Sequence, residues 1–256
     1  MLTELTALVK SHKTMNARRS DPLYIGSFMT KGNKKLTDYV DNTSGIRRFY
    51  AQFNLPARKT CPFATPGCIK FCYAKRDERF PEPRNNRMKN YIASRDPIFS
   101  KRLIYTILVE LESKRYKSGT MVLRIHESGD FYNRFYLNDW ITVIRALRGY
   151  NVIFQFYTKS FVYFLQLSEE CKAILNDAIN AGQVAMSLSY DKTMNVQQYA
   201  QLLLCKKDFP SANVYAAIPE KDMTEYAHDT VCDCADCAKC GHCVHTTGKT
   251  VAVAIH

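Results

Sequence analysis

Ten cysteines in 256 residues constrain this chain more than any other feature, because eight of them fall in two short windows. Cys61, Cys68 and Cys72 read C-x6-C-x3-C, and Cys232, Cys234, Cys237, Cys240 and Cys243 read C-x-C-x2-C-x2-C-x2-C. The first residues lack the apolar run of a secretory leader, and no stretch approaches the roughly 18 apolar residues that span a bilayer. A soluble cytoplasmic chain with no membrane partner is therefore expected, and in a reducing compartment clustered thiols point to metal ligation.

The two windows suggest different roles. Pro62, Pro66 and Gly67 let the first fold back so that three sulfurs meet, with one ligand position left open. The even spacing of the tail wraps backbone around a polynuclear centre, as ferredoxin loops do. Zinc more often takes two C-x2-C hairpins separated by a dozen or more residues. The expectation is one or two iron-sulfur clusters of the 4Fe-4S type, with zinc as the alternative and the sharing of the eight thiols left open. His242 and His245 lie beside the tail thiols as further candidate ligands, whereas the lone Cys171 and Cys205 read as packing in helices.

From Phe49 a strand leads into the first cysteine loop, and helical spacing follows over 84–116, broken at Pro97 with Asp96 near the second start. TMVLRIHESGDF reads as a buried strand ending at Gly129. Helices over 136–147, 161–180 and 196–204 then alternate with strands over 151–158, 183–190 and 213–219, and TVAVAI closes the chain as a strand. This predicts an α/β fold, a mainly parallel βα-repeat sheet curling into an incomplete TIM-like barrel, with a cysteine-rich C-terminal tail. One domain covers 1–256: an irregular lead-in over 1–54 with a strand near Tyr24 to Phe28, a βα core over 55–218 that includes the first cysteine loop, and the tail with its final strand over 219–256.

Sites in such sheets form at the C-terminal strand ends. If the strand continued through HESGDF, His126, Ser128 and Asp130 would point to one face. His126 and Asp130 are the candidate catalytic acid-base pair; Ser128, Gly129 and Lys159 are candidate substrate-binding residues, with Lys159 receiving an anionic group. Asp130 could instead cap the next helix. Thr158, Ser160, Ser187, Ser189 and Asp191 gather at the same rim. The formal charge of +12 raises nucleic acid as a partner, although metal-bound thiolates would cancel part of it. No dinucleotide fingerprint, phosphate-binding loop or DNA-reading helix motif is visible.

TCPFATPGCIKFCYA, HESGDF and CADCAKCGHC with the closing VAVAIH resemble, in that order, the "gene product 88" family of tailed-phage and mobile-element proteins. The likeness runs from about Leu55 and carries over Cys61, Cys68, Cys72, the stretch His126 to Asp130, and Cys237, Cys240 and Cys243. Cys232 and Cys234 form an extra pair, which leaves open which of them holds the upstream cysteine position. The resemblance implies a phage-encoded protein acting in a bacterial host cytoplasm. A looser similarity to radical S-adenosylmethionine enzymes, which join a βα barrel to a three-cysteine loop, brings S-adenosylmethionine in as a candidate cofactor. Their usual C-x3-C-x2-C differs from the spacing here. The functional expectation is an iron-sulfur redox or radical enzyme whose open-site cluster faces a small-molecule crevice and meets a host redox partner. The alternative is a metal-stabilised protein that binds nucleic acid or a host protein without catalysis.

Overall fold

The computed structural model describes residues 1–26, 30–31, 37–41, 44–219, 222, 228–232, 244 and 248–255. Helices α1 (Leu2–Ser11) and α2 (Met15–Arg19) open the chain, and short strands β1 (Thr30–Lys31) and β2 (Tyr39–Val40) lead to β3 (Arg47–Phe53). One-turn helices α3 (Pro66–Lys70) and α4 (Tyr73–Asp77) lie in and just after the first cysteine window. Then come α5 (Pro81–Ala93) and α6 (Phe99–Leu111), parted at Pro97, with Asp96 Oδ1 accepting from Ile98 N at 3.0 Å. The alternation that follows is β4 (Thr120–Ile125), α7 (Arg134–Ala146), β5 (Val152–Thr158), α8 (Phe161–Leu165), α9 (Glu169–Asn180), β6 (Val184–Asp191), α10 (Val196–Asp208) and β7 (Asn213–Pro219). Strands β8 (Thr230–Cys232) and β9 (Thr250–Ile255) complete the sheet.

Several expectations change. Residues 1–54 are more regular than their composition suggests, since α1 buries Leu5 and Val9 in the main core. Tyr24 to Gly26 form no strand, and Ser27 and Phe28 lie outside the described residues. Strand β4 stops at Ile125 because His126 takes a left-handed φ of 66°, which turns the chain out of the sheet. The predicted helix over 161–180 is two helices, because Ser168 caps a new start by accepting from Cys171 N at 3.3 Å. Asn133, and not Asp130, caps α7: its side chain accepts from Tyr136 N at 2.8 Å.

The sheet order is β1-β3-β4-β5-β6-β7-β9-β8, with β2 also paired to β3. Every pairing from β3 to β8 is parallel, and β1 and β2 are antiparallel to β3. Among the described strands none joins the β1 edge to the β8 edge, so the structure shows a mostly parallel α/β sheet without a closed barrel. Strands β3 to β7 run in simple sequential order, and right-handed crossovers then place their helices on one face. Phe49, Ala51, Phe53, Met121, Leu123, Ile125, Phe154 and Phe156 fill that face, meeting Trp140, Phe161 and Phe164 from the helices. The opposite face carries Tyr50, Val122 and Ile153, on which Val244 packs, and next to them in register Gln52, Arg124 and Gln155. Among the described residues no helix is long and apolar enough to cross a membrane.

Leu123 is fully shielded at the centre of the helix-covered face. Leu123→Ala should destabilise the protein by about 2–5 kcal/mol, combining lost transfer energy with a cavity. Urea unfolding followed by Trp140, the only tryptophan, measures it.

Candidate functional site

Strand β3 delivers the chain to Asn54 at the C-terminal edge of the sheet, and the exit of β4 forms the bed on which the cysteine loop rests. His126 N donates to Phe53 O at 2.9 Å, and Leu55 N to Ser128 O at 2.8 Å. Asn54 Oδ1 accepts from Glu127 N at 2.7 Å and Ser128 N at 3.2 Å, while Ser128 Oγ donates to Leu55 O at 2.8 Å. Asp130 N donates to Thr60 O at 3.0 Å. Gly129 has φ +90°, and a Cβ there would lie 2.6 Å from Leu55 Cβ and from Thr60 Oγ1, so only glycine fits. Ser128 and Gly129, expected to approach a bound molecule, make these contacts with the protein's own cysteine loop.

His126 is buried, with Nε2 2.7 Å from Tyr136 Oη and its ring edge-on to Phe131. Burial, reinforced by the Arg124 charge, pushes its pKa down to about 3, so the ring is neutral. Asp130 is a buried acceptor for Phe131 N at 2.7 Å, Thr158 Oγ1 at 2.7 Å and Lys159 N at 2.9 Å. Burial raises its pKa despite these donors. The pair expected to act as acid and base is thus buried, with the Asp130 side chain tying the exits of β4 and β5 together and the His126 ring set against Tyr136 of α7.

The three thiols stand above this bed. Cys61 is half-buried, Cys68 is exposed on α3 and Cys72 is the half-buried residue before α4. Thr65 caps α3 by accepting from Cys68 N at 3.1 Å, and its hydroxyl donates to Asp191 Oδ2. Thr193 Oγ1 donates to Asp191 Oδ1 at 2.5 Å and accepts from Gly67 N at 2.7 Å. Lys159 Nζ lies 3.4 Å from Asp191 Oδ2. The far side of the loop is held by buried Glu78, which accepts from Ala57 N at 2.6 Å and lies 3.6 Å from buried Arg87. Arg87 in turn donates to Ala74 O at 2.6 Å.

Burial pushes the Cys61 thiol up to about 12, and the Asp130, Cys68 and Cys72 charges add to the shift. Cys68 is also raised by burial, opposed by Lys159 and reinforced by Cys72, Asp191 and Asp130. The three sulfurs therefore share one electrostatic environment, although among the described residues no group of three His, Cys, Asp or Glu side chains has metal-holding geometry. The donor set itself suits a metal. Cys68, Asp130 and Asp191 neighbour the Lys159 ammonium, and a multivalent cation would offset the excess negative charge of three thiols and two carboxylates once the thiols ionise.

Cys232 ends β8 opposite Val253, half-buried. Cys234, Cys237, Cys240, Cys243, His242 and His245 lie outside the described residues. Cys205 is buried with Sγ 3.6 Å from Phe161 O, and Cys171 packs against the main core, as expected of structural thiols. Sequence reasoning missed Asn54, Thr193 and the Glu78–Arg87 pair. Thr65 was readable as a helix cap three residues before Cys68, but Arg87 was indistinguishable from its solvated basic neighbours.

The chain matches the family model described as "Gene product 88" over residues 27–246. It is 29% identical over 132 residues to the "Gene 88 protein" of Mycobacterium phage D29, an alignment covering 47% of this chain and 54% of that relative. The chain thus spans about half the length of the curated relative it matches. No solved structure matches.

Two outcomes follow from the site geometry. His126 should lower stability in acid: below about pH 6.5 the unfolded chain binds a proton that the folded chain refuses until about pH 3. Stability should fall through that window by up to ~1.4 kcal/mol per pH unit. His126→Asn, which tolerates the left-handed backbone, should reduce the slope in urea titrations between about pH 4 and 7. In metal-free protein, brief alkylation read by mass spectrometry should label exposed Cys68 before Cys61 and Cys205, whose thiols burial holds protonated.

Proposed function

Within the Gene product 88 family, to which this chain belongs, we propose that it is an iron-sulfur protein with its centre at Cys61, Cys68 and Cys72. The observation that supports this reading is the placement of three thiols, which feel one another's charge, on a single loop at the C-terminal edge of a sequentially wound parallel sheet, a loop locked from beneath and from the side. When bound, a cluster held by three thiolates supplies one-electron redox chemistry and an iron open to a further ligand. Lys159 would contribute positive charge near Cys68, and the Thr65–Asp191 bond would fix the turn that presents Cys68. His126 and Asp130 act as positioning residues that hold the loop bed. The tail cysteines Cys232, Cys234, Cys237, Cys240 and Cys243 would hold a second centre or complete the first. S-adenosylmethionine is one candidate for the open position, and the bacterial host cytoplasm is the proposed setting.

A second reading keeps the metal structural and assigns binding to the face around the loop. Ile69, Phe71, Tyr73 and Phe80 are exposed there beside Lys70, Lys75, Arg76 and Arg79. Aromatic and basic side chains together suit a nucleic acid or an acidic host protein. Nucleic-acid affinity that falls steeply between low and moderate salt would favour it.

Iron, sulfide and zinc quantified on anaerobically purified protein, with absorption and paramagnetic-resonance spectra before and after reduction, decide between these metals. Cys68→Ser should lose most of the iron bound at this centre, and Cys240→Ser should lower iron and solubility together, whereas Cys171→Ser should keep wild-type metal content. A folded, colourless, iron-free protein under strict anoxia overturns the iron-sulfur reading.

A further inference from the structure

On the sheet face opposite the helices, Gln52, Arg124 and Gln155 are direct neighbours in register on β3, β4 and β5. The row lies one step toward the strand C-termini from Tyr50, Val122 and Ile153, where Val244 packs. Arg124 stacks over Tyr157 with Cζ 4.0 Å from the ring centroid, and Tyr157 meets Tyr215 edge-on at 4.7 Å. Among the described residues Arg124 makes no ion pair with a carboxylate, and its nearest acceptor is Gln155 Oε1 at 3.5 Å from Nη1. Arg124 Nε is shut from solvent without an acceptor.

Gln52 has the same deficit. It is 4% exposed, and its Nε2 also lacks an acceptor. The orientation of that amide is determined by its neighbours. Asn54 Oδ1 already accepts from two backbone N–H groups, so Asn54 must present its Nδ2 to Gln52, and Gln52 must answer with oxygen at 3.0 Å. Nε2 is therefore left as a second unmatched donor beside the guanidinium. A buried, unsatisfied donor is costly, more so when charged, and two on neighbouring strands are what an oxyanion would satisfy. Lys159, which the sequence marked for an anion, is engaged by Asp191.

We propose that Arg124 and Gln52 form an oxyanion-binding site for the carboxylate or phosphate of a small molecule on the sheet face opposite the helices. This goes beyond the metal reading and does not depend on it. Tyr157 packs on the guanidinium, and an anion that reached the unmatched Nε would pair with it side-on, a geometry that lysine does not reproduce.

The test uses full-length protein purified without oxygen, titrated with inorganic phosphate and with malonate against sodium chloride at equal ionic strength, by calorimetry and thermal unfolding. Phosphate or malonate should bind saturably and raise the melting temperature, and the stronger of the two identifies the oxyanion. Gln52→Glu places a carboxylate beside Arg124 and still accepts from Asn54. It should keep or raise the melting temperature while weakening anion binding at least about tenfold. Arg124→Gln should weaken binding similarly. No saturable binding in the wild type, or unchanged affinity in a folded Gln52→Glu protein, overturns the inference. Iron measured on the same samples separates the two claims: anion binding without iron upholds this site and sinks the metal reading, and iron without anion binding does the reverse.

Discussion

The hydrogen bonds that tie neighbouring strand exits together are what the rest of the site depends on. Asp130 holds the β4 exit to the cysteine loop through Thr60 and to β5 through Thr158 and Lys159. Asp191, at the end of β6, reaches back to Lys159 and to Thr65 in the cysteine loop. Two buried carboxylates thus close a circuit across β3, β4, β5 and β6 at the edge where parallel sheets place their sites. Removing one partner from such a circuit would leave buried acceptors or charges unmatched, which costs more than the bond itself gains.

That circuit binds into the scaffold the same segment whose residue types suggest catalysis in the sequence. A histidine, a serine and an aspartate at alternating positions after a strand suggest chemistry, yet the left-handed turn at His126 and the glycine at 129 put them into backbone contact with 53–60. The Ser128 and Asp130 side chains satisfy loop backbone that burial would otherwise leave without partners, while the His126 ring meets Tyr136.

The two faces of the sheet carry different work. Burial of Leu123, Phe154, Met186 and their helix partners stabilises the scaffold on one side. The other side is mixed, with an apolar row at Tyr50, Val122 and Ile153 giving way toward the mouth to Gln52, Arg124 and Gln155. Strand alternation makes this possible, because one sequence can serve a dry core and a polar surface at successive residues.

The sequence by itself determined the βα order, the break at Pro97, the parallel strands and the clustering of cysteines, because hydrophobic period, proline and residue type act locally. Only the tertiary structure decided the order of the strands, that His126 is neutral and enclosed, that Lys159 is taken by Asp191, and that among the described residues Arg124 makes no ion pair with a carboxylate. These depend on which side chains from distant strands become neighbours, and on how much water that proximity removes. Neither is encoded in the spacing along a single segment.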